Sequence, residues 1–144
     1  GALNAGVARY AADPQAQGAL AADSRPTGRT ALPTITLHAI DDPTAFVELE
    51  DSYRRIREAA GTADRLVQSF SDEHSHSYLS DPEYPALFDA MVDWIEHGEK
   101  PSPDGLAQRC ASLAPRFAGG ERSGGCHIRP AWHPPPIESR VPPR

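Results

Sequence analysis

Carboxylates and imidazoles that could share a proton occur at two points in this sequence. Asp41 and Asp42 stand together before Pro43, and His74 and His76 follow in a later polar segment. A carboxylate that accepts a hydrogen bond from one imidazole nitrogen fixes the tautomer of the ring, so that the other nitrogen can act as a general base. This chemistry requires a fold that brings the two segments together.

The elements around these residues predict such a meeting. Residues 32–40 are apolar and rich in β-branched side chains, which predicts a buried strand that ends at Asp41. An amphipathic helix is predicted over residues 45–60 and stops at Gly61. Residues 65–70 predict a second strand, which opens into the polar loop at 71–77. Functional groups in open parallel sheets gather beyond the carboxyl ends of strands, where both acidic and histidine segments are expected to lie.

A second amphipathic helix should follow the histidine loop. Ser80 and Glu83 have capping-box spacing, Pro82 suits a first turn, and Gly98 suits a C-cap. Its apolar face, which we interpret as core packing that includes Phe88 and Trp94, consists of Tyr84, Leu87, Phe88, Met91, Trp94 and Ile95. A shorter helix is predicted over 103–113 with Ser102 as its cap, and another near the start, over 7–12.

Strand, helix, strand, helix predicts an α/β fold with a parallel sheet. Two parallel strands cannot form a stable sheet alone, so further strands are expected from other polypeptide. The absence of an initiator Met also leads us to expect a processed product or one half of a cut polypeptide. We divide the chain into residues 1–30, the end of a cap or linker region; 31–113, the core; and 114–144, a cystine loop and proline-rich tail.

At this point the sequence resembles the α/β-hydrolase family. Residues 37–43 (LHAIDDP) are similar to the family's L-H-G-x-x-D-P strand and loop, although Ala39 stands where Gly is usual, and residues 94–101 end a helix as W-I-x-x-G-x-x-P. The resemblance covers roughly residues 26–110 and implies that Asp42 is the triad acid and His76 the triad histidine. It implies that this chain is the C-terminal portion of such a fold, of the secreted bacterial esterase or lipase type.

The resemblance further implies hydrolysis of a carboxylic ester by Ser-His-Asp acyl transfer, without a cofactor. No G-x-S-x-G motif is present, and the family order of Ser, acid, His places the nucleophile before Gly1. The expected partners are therefore a small ester and an N-terminal half that carries the Ser, and this chain alone should be inactive. His74 competes with His76 for the histidine role, and Asp41 is the alternative acid.

Other interpretations of these residues stay open. Asp42 before Pro43 could simply cap a helix. The cluster Asp72, Glu73, His74 and His76 could bind Zn²⁺, but no third ligand stands at a supporting spacing, so no metal is predicted. His38 is expected to be a core histidine, and the remaining histidines, His97, His127 and His133, are expected at the surface or in the tail. The alternative function is a non-catalytic binding or accessory module with a hydrolase-like sheet.

Composition and the two cysteines restrict the possible partners and the cellular location of the protein. The net charge is −6 and the basic residues form no stripe, which argues against nucleic acid. No stretch approaches the roughly 20 apolar residues of a membrane span. Cys110 and Cys126 bracket a Gly- and Arg-rich segment that a disulfide would hold in place, which predicts a secreted or periplasmic protein; two free thiols are the alternative. The tail at 134–144 has polyproline II composition, and we expect it to lie along the missing half.

Overall fold

The computed structural model describes residues 2–140, which form a small α/β assembly. Its strands are β1 (Thr34–Ala39) and β2 (Leu66–Ser71). Its helices are α1 (Ala2–Gly6), α2 (Pro14–Ser24), α3 (Glu48–Ala59), α4 (Glu83–His97) and α5 (Pro103–Leu113), with short 3₁₀ turns at Ala63–Arg65, Ala114–Phe117 and Ile137–Arg140.

The two strands are parallel and in register from Thr34 opposite Leu66 to Ala39 opposite Ser71. Side chains alternate between the two faces of a strand. One face therefore carries Ile35 and Val67, which pack toward α4 and α5. The connection through α3 confirms the expected alternation of strand and helix. Within residues 2–140 the sheet has these two strands, so a complete hydrolase sheet is not part of the described structure.

The hydrophobic core lies between the sheet and the helix pair α4 and α5. Small residues of α4 allow this close approach, since Ala86 and Ala90 are both buried. The disulfide between Cys110 and Cys126 anchors the following segment to the core, which confirms the predicted pairing. The buried cluster comprises Val67, Ala86, Ala90, Leu106, Cys110 and Ile128.

The two outer edges of the sheet differ. Beside β2, Ile128 forms an antiparallel bridge with Ser71, and the Arg129 N–H donates to the Phe70 carbonyl at 2.8 Å. Trp132 then packs edge-on against Phe70, with ring centroids 4.8 Å apart. The disulfide-anchored segment therefore covers the end of the β2 edge. The outer edge of β1 pairs with no strand among the described residues.

The predicted stops of α3 and α4 and the predicted start of α5 are confirmed. Gly98 ends α4 in the left-handed conformation with φ 74°, and Gly61 adopts φ 70° after α3. The Ser102 hydroxyl accepts from the Gly105 N–H at 3.0 Å and caps α5 over the predicted range. Each signal works within a few residues, which is why the sequence reveals it.

Two local predictions were wrong. Residues 7–12 are not helical; helices lie on either side of them, and α2 begins after Asp13, whose carboxylate accepts from two N–H groups of its first turn. Ser80 and Glu83 do not form a capping box. The Ser80 N–H donates to Glu73, while the Glu83 carboxylate turns into the interior toward Ser71. Tertiary hydrogen bonds have replaced the local cap.

The burial predicted for the two amphipathic helices also needs correction. On α4, Phe88 is 71% exposed, and Tyr84 and Ile95 are exposed too, so the apolar face extends past the core; Trp94 does pack against it. On α3, the charged residues Glu48, Asp51 and Arg57 are buried, whereas Phe46 before the helix and Leu49 on it are exposed. Arg140 of the tail pairs with Glu48. The Thr34 and Thr62 hydroxyls accept from Arg57, whereas the partners of Asp51, which are Arg54 and Arg55, lie on α3 itself.

The tail folds back on α3. Arg140 forms an ion pair with Glu48 at 2.7 Å, and its guanidinium lies 4.4 Å from the ring centroid of Phe46. The tail was expected to lie along a missing half of the fold. Instead, the tail at Arg140 packs against α3 and against Phe46, which precedes that helix in the same chain. The rest of the polyproline prediction, at 141–144, is outside the described residues. None of the helices within 2–140 combines the length and apolar character needed to cross a membrane.

Candidate catalytic acid and histidine

The end of the sheet brings the acidic and histidine segments together. Backbone pairing between the two segments continues past the ends of β1 and β2. The Ile40 N–H donates to the Ser71 carbonyl at 2.8 Å, and the Asp41 N–H donates to the Glu73 carbonyl at 3.4 Å. The loops that leave β1 and β2 therefore start side by side. This is the meeting of strand ends that the sequence predicted.

A short hydrogen bond joins the two residues that the resemblance selected. His76 Nδ1 lies 2.8 Å from Asp42 Oδ2. The other carboxylate oxygen, Oδ1, accepts from the backbone N–H groups of Thr44 at 2.7 Å and Ala45 at 2.9 Å. The carboxylate is therefore held from both sides, by its own loop and by the imidazole.

The Asp42 carboxylate is arranged to stay ionised. Its side chain is only 3% exposed, and burial by itself raises the pKa. The hydrogen bonds from Ala45 and Thr44, with the hydrogen bond and charge of His76, outweigh that effect and lower the pKa of Asp42 from 3.8 to about 2. At neutral pH this group is an anion that accepts hydrogen bonds.

Asp42 selects the tautomer of His76. A carboxylate can only accept, so Nδ1 carries the proton and Nε2 becomes the basic nitrogen of the neutral ring. The His76 side chain is 52% exposed, and so is reachable from outside. A buried acid behind an accessible imidazole is the arrangement by which a histidine takes a proton from a nucleophile and returns it to a leaving group.

The loop that carries His76 is fixed at its far end. Glu73 accepts from the Ser80 N–H at 2.7 Å, and the Tyr84 hydroxyl accepts from the Leu79 N–H at 2.9 Å. Just before these two N–H groups, Tyr78 adopts φ 62°, a backbone conformation that bulky residues rarely enter. Backbone strain of this kind concentrates at functional sites. No feature of the sequence predicts it, because Tyr carries no turn preference that would mark the position.

The alternative residues form a second pair farther out. His74 Nδ1 lies 3.2 Å from Asp41 Oδ2, but the side chains are 80% and 59% exposed. Water competes for both partners at such a site, so their orientation is weakly held. Burial and backbone hydrogen bonds distinguish Asp42 and His76 from this pair, while the choice between the two pairs as catalytic residues stays a prediction.

A third imidazole, which the sequence analysis placed in the core, also contacts the acid. The His38 side chain is 14% exposed, so it is partly buried, but it is not part of the hydrophobic core cluster. Its Nε2 lies 3.2 Å from the Ala45 carbonyl and 3.5 Å from Asp42 Oδ2, while Nδ1 lies 3.5 Å from Glu50 Oε1. The spacing from His38 to Asp42 does not by itself predict this contact, because it forms only where the chain turns back after β1.

Three other interpretations concerned a helix cap at Asp42, the exposure of His127 and a metal site. Asp42 does accept from the next N–H groups in the manner of a cap, but α3 begins only at Glu48, so it caps a turn and not the helix. His127 is half-buried instead of exposed, and its N–H donates to Glu83 at 3.0 Å. Within residues 2–140, no three His, Cys, Asp or Glu side chains are placed to hold a metal ion.

An apolar hollow opens beside the uncovered edge of the sheet. Its walls come from β1 and from the face of α4 that extends past the core, namely Ile35, Tyr84, Pro85, Leu87, Phe88 and Met91, with Asp89 at its margin. Neither Asp42 nor His76 lines it. It is therefore a feature of the sheet edge and separate from the acid and histidine pair.

Comparison of the chain with protein-family models, with curated proteins and with solved structures found no match.

Proposed function

We propose that this chain supplies the acid and the histidine of a Ser-His-Asp triad that hydrolyses a carboxylic ester by acyl transfer. Asp42 orients His76 and stabilises its protonated form, and Nε2 of His76 takes the proton of a Ser hydroxyl. His76 later returns that proton to the leaving alcohol. The Ser belongs to the N-terminal half of the same hydrolase, on a separate chain or a preceding segment.

The observation that carries this proposal is the buried carboxylate of Asp42 held 2.8 Å from Nδ1 of an accessible imidazole. Two backbone donors, the N–H groups of Thr44 and Ala45, hold the second oxygen of Asp42 in place. Such an arrangement fixes one orientation of the ring, which a proton-transferring histidine needs.

The uncovered edge of β1 supports the partner in this proposal. A parallel strand added there would meet the unpaired backbone groups of β1, and its side chains would cover the apolar face at Phe88. The opposite edge is partly covered by the segment around Ile128. An N-terminal half would therefore join at β1, next to the loop that carries Asp42.

The disulfide supports an oxidising location. Cys110 is fully buried in the core and Cys126 brings the covering segment to it. Disulfides persist in secreted and periplasmic proteins and are rare in the cytosol. We therefore place the enzyme outside the cytoplasm.

Mass spectrometry of the purified native protein under denaturing conditions tests the proposal, together with labelling by a fluorophosphonate probe. We expect a companion polypeptide, or a longer chain, with a G-x-S-x-G serine that the probe labels. A stable monomer of 15.5 kDa that never labels would contradict the triad and point to a binding or accessory module.

A further inference from the structure

We propose that His38 is a positioning residue for the triad, which holds the acid loop so that Asp42 presents Oδ2 to His76. The inference rests on the proposed function, and it assigns a role to a residue that the triad itself does not include. It follows from contacts on both nitrogens of the His38 ring.

The first contact fixes the loop. Because a carbonyl can only accept, Nε2 of His38 donates to the Ala45 carbonyl at 3.2 Å. The same nitrogen faces Asp42 Oδ2 at 3.5 Å, the oxygen that His76 binds. Ala45 also gives its N–H to Asp42 Oδ1. His38 therefore binds Ala45, the residue whose N–H orients the Asp42 carboxylate, and it also faces that carboxylate directly.

The second contact lies on the other side of the ring. Glu50 Oε1 lies 3.5 Å from Nδ1 of His38, and it attracts the ring when both ring nitrogens carry protons and can donate. Glu50 is itself held by both strands. The Thr36 hydroxyl and the Gln68 amide donate to its Oε2 at 2.8 and 2.6 Å. A continuous polar chain thus runs from the strands through Glu50 and His38 to the acid. Partners outside the reacting groups commonly orient a catalytic side chain in this way.

The tautomer of His76 tests the role on the full chain, without need of a nucleophile. Two-bond ¹H–¹⁵N correlation spectra identify which nitrogen of a neutral imidazole carries the proton. We expect Nδ1–H for His76 in the wild type and a loss of that preference in His38→Asn, whose amide does not reach the position of Nε2. His38→Gln, which is one methylene longer, should restore it.

His97→Leu is the control, because His97 is exposed and lies on α4 away from the loop; it should leave the His76 tautomer unchanged. If His38→Asn loses its fold, the wild-type spectrum carries the test, because a His38 that donates to the Ala45 carbonyl must show Nε2–H in its neutral form. Retention of Nδ1–H at His76 in a folded His38→Asn variant, or Nδ1–H at His38 in the wild type, would overturn the role of His38 alone. A wild-type His76 with Nε2–H would instead contradict the acid and histidine pair, and with it the proposed function.

Discussion

The side chain of Asp42 is almost completely buried, yet the imidazole of His76 that it binds is half exposed. The hydrogen bond therefore crosses from the interior to the surface of the molecule. Burial and backbone donors orient the acid, while exposure leaves the base accessible to a reacting group.

Replacement of Asp42 by Asn should change the response of stability to acid. The folded pKa of Asp42 is lowered to about 2 from 3.8, so its ionised form stabilises the fold above pH 3.8 and that contribution disappears as pH falls toward about 2. Asp42→Asn should unfold more easily than the wild type near neutral pH, and the difference should shrink in acid. Denaturant unfolding followed by circular dichroism at several pH values measures this. The exposed Asp41→Asn is the matched control, and an equally large effect there would contradict the account.

Glu83 should have the opposite pH dependence. Burial raises the pKa of Glu83 above 4.5, although donation from Ser71 and the His127 N–H opposes the rise. Its Oε2 has no partner within residues 2–140. The protonated form stabilises the fold, so the contribution is full below pH 4.5 and is lost as pH rises through the raised value.

The Glu83→Gln variant stays neutral and keeps an oxygen for Ser71. Its free energy of unfolding should therefore fall less steeply than that of the wild type as pH increases. Thermal melts across the pH range measure the two slopes. Glu96→Gln, exposed on the same helix, should follow the wild type. Parallel slopes for Glu83→Gln and the wild type would show that Glu83 ionises in the fold as readily as in the unfolded chain.

Removal of the disulfide should cost about 3 kcal/mol of unfolding free energy, as expected for a loop of roughly 15 residues. The bond attaches to α5 the segment that covers β2. We expect this loss in the Cys110→Ala, Cys126→Ala double variant and, on adding a reductant, in the wild type. The reductant should not affect the double variant, which makes it the control. An unchanged wild type under complete reduction would contradict this role.

The exposed apolar face of α4 should contribute little to the free energy of unfolding of the isolated chain. Phe88→Ala should shift its unfolding free energy by no more than about 0.5 kcal/mol, as is usual for surface positions. Leu106→Ala, in the core, should cost about 2–5 kcal/mol. Denaturant titration compares the two variants. A loss at Phe88 as large as that at Leu106 would mean that this face is already covered in the isolated chain.

Much of the fold could be predicted because its signals are local. Glycines at the ends of α3 and α4 and the Ser102 cap act over a few residues. Burial could not be predicted, because it depends on distant partners. Arg57 is fully buried, and the Thr34 and Thr62 hydroxyls accept hydrogen bonds from its guanidinium. The periodicity of α3 does not reveal these two partners, because both lie outside the helix.

The candidate site was predictable in part for the same reason. The strand ends and the resemblance identified Asp42 and His76, whose loops meet because β1 and β2 are parallel neighbours. His38 was assigned to the core, since its contact with the acid needs the turn after β1. The turn itself depends on Asp42 accepting from two backbone N–H groups, which no residue spacing shows.

Fluorophosphonate labelling of histidine variants tests the central claim most directly, in native protein that contains the nucleophilic Ser. We predict that His76→Ala abolishes labelling, because the Ser loses its base, whereas His74→Ala keeps most of it. Both histidines belong to one polar loop, so the pair is well matched. Full labelling of His76→Ala, or loss of labelling only in His74→Ala, would contradict the assignment of His76 as the base oriented by Asp42.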